Sequence, residues 1–388
     1  MKFINNINWG NLLIIILIVI IIILIILILY KNLNNCKSKS TKIYRYIPKN
    51  VQVFQFNNKF SNKYISNNPD KPLSEIIIGN KFKLNNNFNE SNLILFSDYS
   101  LIDQNIKNIP FKYDFEYFIF GINGSDDLAS KSQLGKYMRE GGYSNYIPKT
   151  YIINNNNDMN ELKSKHIESN IYMLKKNIQR QEGNLITKDI NFILTRAKSE
   201  NYVVCQELLQ NPYLVNKRKI NLRIYLLILS YDDIINFYIY NNGFMYYTPK
   251  YFEKGSIEKD VNITTGYIDR KVYEENPLTI QDLYEFLGNE KSKILKNNII
   301  NLFRAVKIVY SKILLKKNDD IPGLKFNIFG TDVAPDENLL VTLIEINKGP
   351  DLSYKDERDK NIKLTMMHDC FTIAGLSKLG NKNNFIKI

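Results

Sequence analysis

The chain has 388 residues and a net charge of +13, from 52 basic and 39 acidic side chains, with 44% hydrophobic residues. That size allows one large domain or two medium ones, each with a packed core. Three scattered cysteines (Cys36, Cys205, Cys370) and two histidines (His166, His368) exclude a disulfide framework and a His/Cys zinc site, whose ligands recur at short fixed spacings.

Residues 12–30 are apolar without interruption, with Trp9 and Tyr30 at the flanks. At about 1.5 Å per residue, a helix of this length nearly crosses a hydrocarbon layer of ~30 Å. The run is too long for the apolar part of a cleaved signal, and no small-residue cleavage site follows it. Lys2 alone precedes it, whereas Lys31, Lys37, Lys39, Lys42 and Arg45 follow. The sequence therefore predicts a single-pass membrane protein: a short outer tail (1–11), a transmembrane helix (12–30), a basic linker (31–50), and a cytosolic remainder. Residues 1–45 hold six bases and no acids, so 13 less six leaves +7 on the rest. That surplus favours acidic partners. The bases are not interleaved with aromatics and no nucleic-acid motif occurs, so nucleic acid is not an expected partner.

Residues 51–115 mix short β-like runs (VQVFQF, SEIIIG, NLILFS) with Asn-rich turns, a pattern that predicts a small N-terminal α/β lead domain. From residue 116 the texture is more regular. YFIFGINGSDDLASKSQLGKYMRE predicts a strand, a turn and a helix capped by Ser125 or Asp126. PKTYII, IYMLKK and YVVCQELL predict strands, with Cys205 as a small core residue. INLRIYLLIL alternates like a sheet member. IINFYIYNNGFMYYTPKYF predicts a hairpin turning at Asn242-Gly243. LTIQDLYEFLG and SKILKNNIINLFRAVKIVYSKILL have helical periodicity. FNIFGTDVAPDENLLVTLIEIN predicts a hairpin turning at Pro335 to Asn338.

Three groups of side chains carry the chemistry. Asp332, in FNIFGTD, and Glu345 and Asn347, in LIEIN, are hard oxygen ligands at one end of two apolar runs. Magnesium takes such ligands and bridges them to phosphates, and a carboxylate inside an apolar strand needs a compensating cation. A strand end with one salt-bridged Glu is the plainer alternative. Lys175 ends an apolar strand, where an ammonium meets either solvent or a phosphate. The loop from Asn177 to Asn184, which contains Gly183, has the length to cover a triphosphate. Gln206, Glu207, Leu208 and Leu209 end the next strand and offer backbone groups to an adenine edge. Lys219, Asn221 and Arg223 alternate and so share one strand face. Such bases are satisfied by acidic side chains or by phosphates. Two lysines, an arginine and a three-oxygen metal site suit phosphoryl transfer to a carboxylate, which is mainly positioning and charge neutralisation. No Walker loop, dinucleotide fingerprint or kinase catalytic loop is present.

At these residues the chain resembles the tubulin–tyrosine ligase family of ATP-grasp ligases, over about residues 116–376. INGSDDLASKSQLGKYM, PKTYII, IYMLKK, VVCQELLQNPYLVNKRKINLRIYLLI, FNIFGTDVAPDENLLVTLIEINKGPDL and IKLTMMHDCFTIAGL are similar to the family's segments, in order. The resemblance implies an α/β (α+β) ATP-grasp domain at 116–376, after the lead domain and before a C-terminal tail at 377–388. It implies ligation of an amino acid to a protein carboxylate through an acyl-phosphate, with ATP and Mg2+. An acidic protein such as a tubulin tail is the implied acceptor. By this carry-over Lys175 and Lys219 contact phosphates, 206–209 meets adenine, and Arg223 binds the transferring group. Asp332, Glu345 and Asn347 hold magnesium, and Thr264, in VNITTGY, matches the family's His-Leu-Thr-Asn loop.

The chain also departs from the family. Asn221 stands where the family has Asp, Asn262 and Thr265 replace the loop's His and Asn, and Tyr246 or Tyr247 stands where a second Arg is expected. Two rival readings follow: a nucleotide-binding pseudoenzyme that scaffolds at a membrane, and an ATP-grasp enzyme acting on a small molecule.

Overall fold

The computed structural model describes residues 50–54, 75–76, 83–84, 93–96, 99–109, 117–177, 183–377 and 383–388. The chain divides into Met1–Ile47 and Pro48–Ile388, and every described residue lies in the second unit. In chain order the strands are β1 (Asn50–Phe54), β2 (Lys83–Leu84), β3 (Leu93–Phe96), β4 (Phe118–Phe120), β5 (Thr150–Ile152), β6 (Tyr172–Lys176) and β7 (Asn184–Thr187). They continue with β8 (Tyr202–Glu207), β9 (Leu214–Val215), β10 (Arg218–Tyr231), β11 (Ile234–Tyr247), β12 (Leu324–Pro335), β13 (Val341–Asn347) and β14 (Phe385–Lys387). The helices that position the site are α1 (Ser125–Ala129), α2 (Lys131–Glu140), α3 (Asn156–Lys165), α4 (Ile190–Thr195), α5 (Ile280–Asn318) and α6 (Glu357–Ile373).

The strands form two sheets. The larger runs β14-β11-β10-β12-β4-β3-β1-β2, and the smaller runs β5-β8-β6-β7. β12 holds β10 along one edge and divides the other, β4 pairing with Leu324 to Phe326 and β13 with Gly330 to Pro335. β3 pairs in parallel with β4, so the large sheet runs through both the 51–115 and the 116–376 stretches.

Strand alternation sends β10 to two cores. Ile220, Leu222, Ile224, Leu226 and Ile228 pack with Leu295, Ile299, Leu302, Phe303, Val306 and Tyr310 of α5. Tyr225, Leu227 and Leu229 pack with Met366, Met367, Cys370 and Phe371 of α6. Burying each such large apolar side chain stabilises by about 1.5–3 kcal/mol, so both faces of the sheet are covered along this half of the strand. On the α6 face, the other half of β10 carries Lys219, Asn221 and Arg223 instead. The face that is core at one end is polar at the other.

α5 starts with a reciprocal cap. Thr279 Oγ1 accepts from the Asp282 N–H at 3.1 Å, and Asp282 Oδ2 accepts from the Thr279 N–H at 2.9 Å. Gly288, at φ +72°, interrupts α5, which agrees with the two periodic segments in the sequence. In the small sheet, Tyr151, Tyr172, Leu174 and Cys205 form a core with Leu162 of α3 and Ile193 of α4. Burial pushes the Cys205 thiol up, followed by the charge of Glu207, so this cysteine stays a neutral core group.

Several expectations need correction. Asn242-Gly243 is no turn: β11 runs straight through it, and the chain reverses at Asp232-Asp233, where Asp232 has φ +49°. Opposite Tyr225 the register shifts, with Ile224 facing Gly243 and Leu226 facing Ile239, so Tyr240 to Asn242 form a bulge. The strand–turn–helix segment contains two helices, and the cap is Ser130, whose hydroxyl accepts from the Gln133 N–H at 3.3 Å. Glu75 and Ile76, inside the β-like run SEIIIG, have helical backbone. Residues 385–387 pair with β11 as an edge strand. The membrane placement is corrected as well: no helix among the described residues is long and apolar enough to cross a membrane. The run 12–30 lies outside the described residues. Apolar length, aromatic flanks and the basic residues that follow carried the expectation, and each is a condition for a span rather than a demonstration of one.

Candidate functional site

The register of three strands builds the site. Asp332 on β12 faces Arg223 on β10 and Glu345 on β13. Adjacent strands lie about 4.8 Å apart, so three charged side chains rise side by side from one sheet face. Arg223 Nε donates to Asp332 Oδ1 at 2.7 Å and Nη2 donates to Oδ2 at 3.2 Å. Asn347 Nδ2 donates to Glu345 Oε1 at 3.1 Å.

Lys175 comes from the other sheet. It sits near the end of β6, and Glu345 and Asp332 are among the charges that act on it. Burial pushes its ammonium below the ordinary lysine value, with Glu345 opposing and Lys131 adding to the fall. Lys219, on β10, is pushed down to about 8, first by burial and then by Lys175. Only 3% of Lys175 and 5% of Lys219 is exposed. Neither ammonium makes a hydrogen bond or ion pair with a described residue. Buried charges are ordinarily paired; among the described residues Lys175 has only the longer-range attraction of Glu345 and Asp332, and Lys219 has Lys175 as its neighbouring charge.

The carboxylates show the opposite imbalance. Asp332 is pushed up to about 6, by burial first, against Arg223, and then by Glu345. Burial would also raise Glu345, but Lys175, the Asn347 amide, Lys131 and Arg223 together hold it below its ordinary value. Two adjacent buried carboxylates cannot both ionise freely, so the pair as a whole holds one proton above the usual range. Among the described residues no group of three or more His, Cys, Asp or Glu is placed to hold a metal. The set here is two carboxylates and an amide.

The remaining expected residues lie in three places. Gln206 and Glu207 end β8, which pairs with β6 beside Lys175, and Leu208 and Leu209 follow it. The Glu207 N–H donates to Lys149 O and the Leu208 N–H to Ile171 O. Gln206 Nε2 donates to Thr150 Oγ1 at 3.0 Å. The Leu209 N–H has no partner among the described residues. Gly183 has φ +74° and its carbonyl accepts from the Lys176 N–H, closing the β6–β7 hairpin. Residues 178–182 of that loop lie outside the described residues. Thr264 is buried in the loop after a helical turn at Lys259–Asn262. In that turn the Asn262 amide donates to Ser256 O and Glu258 O and so braces the loop.

The sequence profile of the tubulin–tyrosine ligase family matches residues 79–383. The chain belongs to this family of ATP-grasp-like proteins. A probable tubulin polyglutamylase of Bos taurus is 27% identical over 188 residues, 46% of this chain and 39% of that relative. A tubulin glycylase of Tetrahymena thermophila is 24% identical over 217 residues, 52% of this chain and 21% of the relative. A probable alpha-tubulin polyglutamylase of the same organism is 26% identical over 273 residues, 63% of each. The chain thus spans about two fifths of the Bos taurus relative. The mixed α/β architecture with its two sheets is consistent with the family's ATP-grasp-like fold.

The structure separates two tyrosines that the sequence left equivalent at the family's expected Arg. Tyr247 is fully buried and its hydroxyl donates to Pro277 O at 2.7 Å. Tyr246 lies with its ring 5.0 Å from the Arg223 guanidinium carbon. Tyr246 also faces Asn221 across β10 and β11, so two departures from the family occupy one cross-strand pair. Lys131, at the first position of α2, was missed by motif reading. It acts on both Lys175 and Glu345, and its only sequence signal is a lysine directly after the cap Ser130.

Proposed function

We propose that the chain is an ATP-dependent carboxylate–amine ligase that adds an amino acid to a protein carboxylate. The observation that carries this reading is the pair of buried lysines, Lys175 and Lys219, whose ammonium groups make no ion pair with a described residue, set against the Asp332–Glu345–Asn347 oxygens. A nucleotide's phosphates supply the negative charge the lysines lack. The Leu209 N–H supplies a donor to an adenine edge.

The donor set fits magnesium. Adjacent carboxylates that raise one another's proton affinity are relieved by a hard divalent ion, and each carboxylate oxygen keeps lone pairs beyond those used by Arg223 and Asn347. When bound, Mg2+ would neutralise charge on the terminal phosphates. Lys175 and Lys219 would hold the phosphates in line as point charges. Arg223 is fixed on one edge by Asp332, and its Nη1, which makes no hydrogen bond with a described residue, would meet the transferring phosphoryl group. The acceptor carboxylate oxygen attacks the terminal phosphorus and ADP leaves. The donor amine then attacks the acyl carbon, and inorganic phosphate leaves with its bonding pair and takes up the proton the amine nitrogen loses as the amide forms.

The names of the relatives favour glutamate or glycine as donor and tubulin as acceptor. The test is incubation of the purified chain with Mg2+-ATP, labelled glutamate or glycine, and tubulin. Label in tubulin with matching ADP and phosphate release is the expected result. Label confined to small molecules would move the acceptor class. A nucleotide-binding scaffold is the second reading, favoured by the neutral pair Asn221 and Tyr246. ATP binding without ADP release from any acceptor would select it, and no nucleotide binding at all would overturn both.

A further inference from the structure

The two departures nearest Arg223 occupy one cross-strand pair: Asn221 and Tyr246 are in register on β10 and β11. Where the sequence resemblance leads to an Asp and an Arg, this chain has an amide and a phenol.

Arg223 shows what the phenol does. One edge of its guanidinium is held by Asp332 through Nε and Nη2. Its guanidinium carbon stands 5.0 Å from the centre of the Tyr246 ring, at cation–π distance. The third nitrogen, Nη1, makes no hydrogen bond with a described residue. The Tyr246 ring is itself confined: a Cβ at Gly266 would stand 2.8 Å from its Cε1 and 3.0 Å from its Cζ. Beside them the Asn221 Oδ1 is buried without a hydrogen-bond partner among the described residues. A ring held by the loop below, an arginine held between ring and carboxylate, and one free guanidinium nitrogen form a directed donor.

We propose that Tyr246 is a positioning residue: its ring face aims the free Nη1 of Arg223 at the terminal phosphate, and Asn221 is its neutral cross-strand complement. This rests on the nucleotide reading above. The ring acts through its π-face, so its bulk alone does not replace it. It also acts only where a phosphate beyond the second is present.

The experiment compares the wild-type chain, Tyr246→Phe and Tyr246→Leu for binding of ADP and of a non-hydrolysable ATP analogue with Mg2+. Phe keeps the face, and its ratio of analogue to ADP affinity is expected within about twofold of wild type. Leu keeps bulk without the face, and is expected to lower that ratio about five- to tenfold, with ADP affinity unchanged. Tyr246→Arg alone is expected to lower the ratio too, by repelling Arg223, and Asn221→Asp is expected to restore it. An unchanged ratio in Tyr246→Leu overturns the proposal. So does an equal loss of ADP and analogue binding in that variant, which marks a merely structural role. If wild type binds neither nucleotide, the proposed function fails first and this inference with it.

Discussion

Arg223 and Asp332 face each other in register across β10 and β12 and share two hydrogen bonds, at 2.7 and 3.2 Å. Asp332 is in turn in register with Glu345, so one carboxylate is attracted on one side and repelled on the other. A purely structural ion pair has no need of the second acid. The arrangement is poised for a further positive charge, and the predictions below follow from that imbalance.

Glu345→Gln removes the repelling neighbour and one counter-charge of Lys175. These effects oppose each other, so the unfolding midpoint is expected to move by no more than about 3 °C. ATP turnover is expected to fall at least about 100-fold. In a titration followed by carboxyl NMR, Asp332 is expected to fall from about 6 toward the ordinary range. Turnover that survives the change would remove Glu345 from the ion-binding set.

Lys175→Met replaces a buried ammonium that makes no close ion pair with a described residue by an apolar group of similar length. Exchanging buried charge for packed apolar atoms is often neutral or stabilising by about 1–4 kcal/mol. The variant is expected to resist urea at least as well as the parent while losing at least about tenfold in nucleotide affinity. A loss of stability together with unchanged affinity would make Lys175 a structural residue.

Lys219 links function to pH. Its folded value is about 8 against an ordinary 10.5, so between those values the unfolded chain binds more protons than the folded one. This group's burial cost is therefore full below pH 8 and is relieved as pH rises toward 10.5, by on the order of 3 kcal/mol at the limit. Stability from this group rises with pH while phosphate attraction falls. Nucleotide affinity measured by calorimetry is expected to drop above pH 8 in the wild type. In Lys219→Arg, which stays charged, that drop is expected to be smaller.

Gly243→Ala tests the bulge. A Cβ there would stand 2.1 Å from the carbonyl oxygen of Arg223, far inside contact distance and against backbone that cannot swing away. The variant is expected to lose about 3 kcal/mol or more in denaturant unfolding. It is also expected to bind nucleotide more weakly, because the displaced strand carries Arg223. Unfolding at the parent's midpoint would show that β10 and β11 can separate freely here.

Patterns with a short period were legible in the sequence. The alternation of Lys219, Asn221 and Arg223 placed them on one face because the strand period is two. The two helical stretches around Gly288 were visible as separate periodic runs. Asn242-Gly243 misled because turn chemistry is a local preference, whereas the long β10–β11 pairing decides where the chain reverses. Asp232-Asp233 also carried a turn signal, since Asp tolerates the left-handed region. Lys131 was illegible because a lysine at a helix start is ordinary until another sheet brings Lys175 beside it.

Residue order by itself determined the family, the strand carrying the three alternating polar groups, and the two acids and amide of the final hairpin, all of which depend on spacings of a few residues. Only the tertiary structure decided that Arg223 belongs to Asp332, that Tyr246 rather than Tyr247 meets it, and that two lysines from different sheets lie buried as neighbours. Those facts depend on strand register and on sheet-to-sheet approach, which are set by packing between residues far apart in the chain, and such distances leave no periodic trace in the sequence.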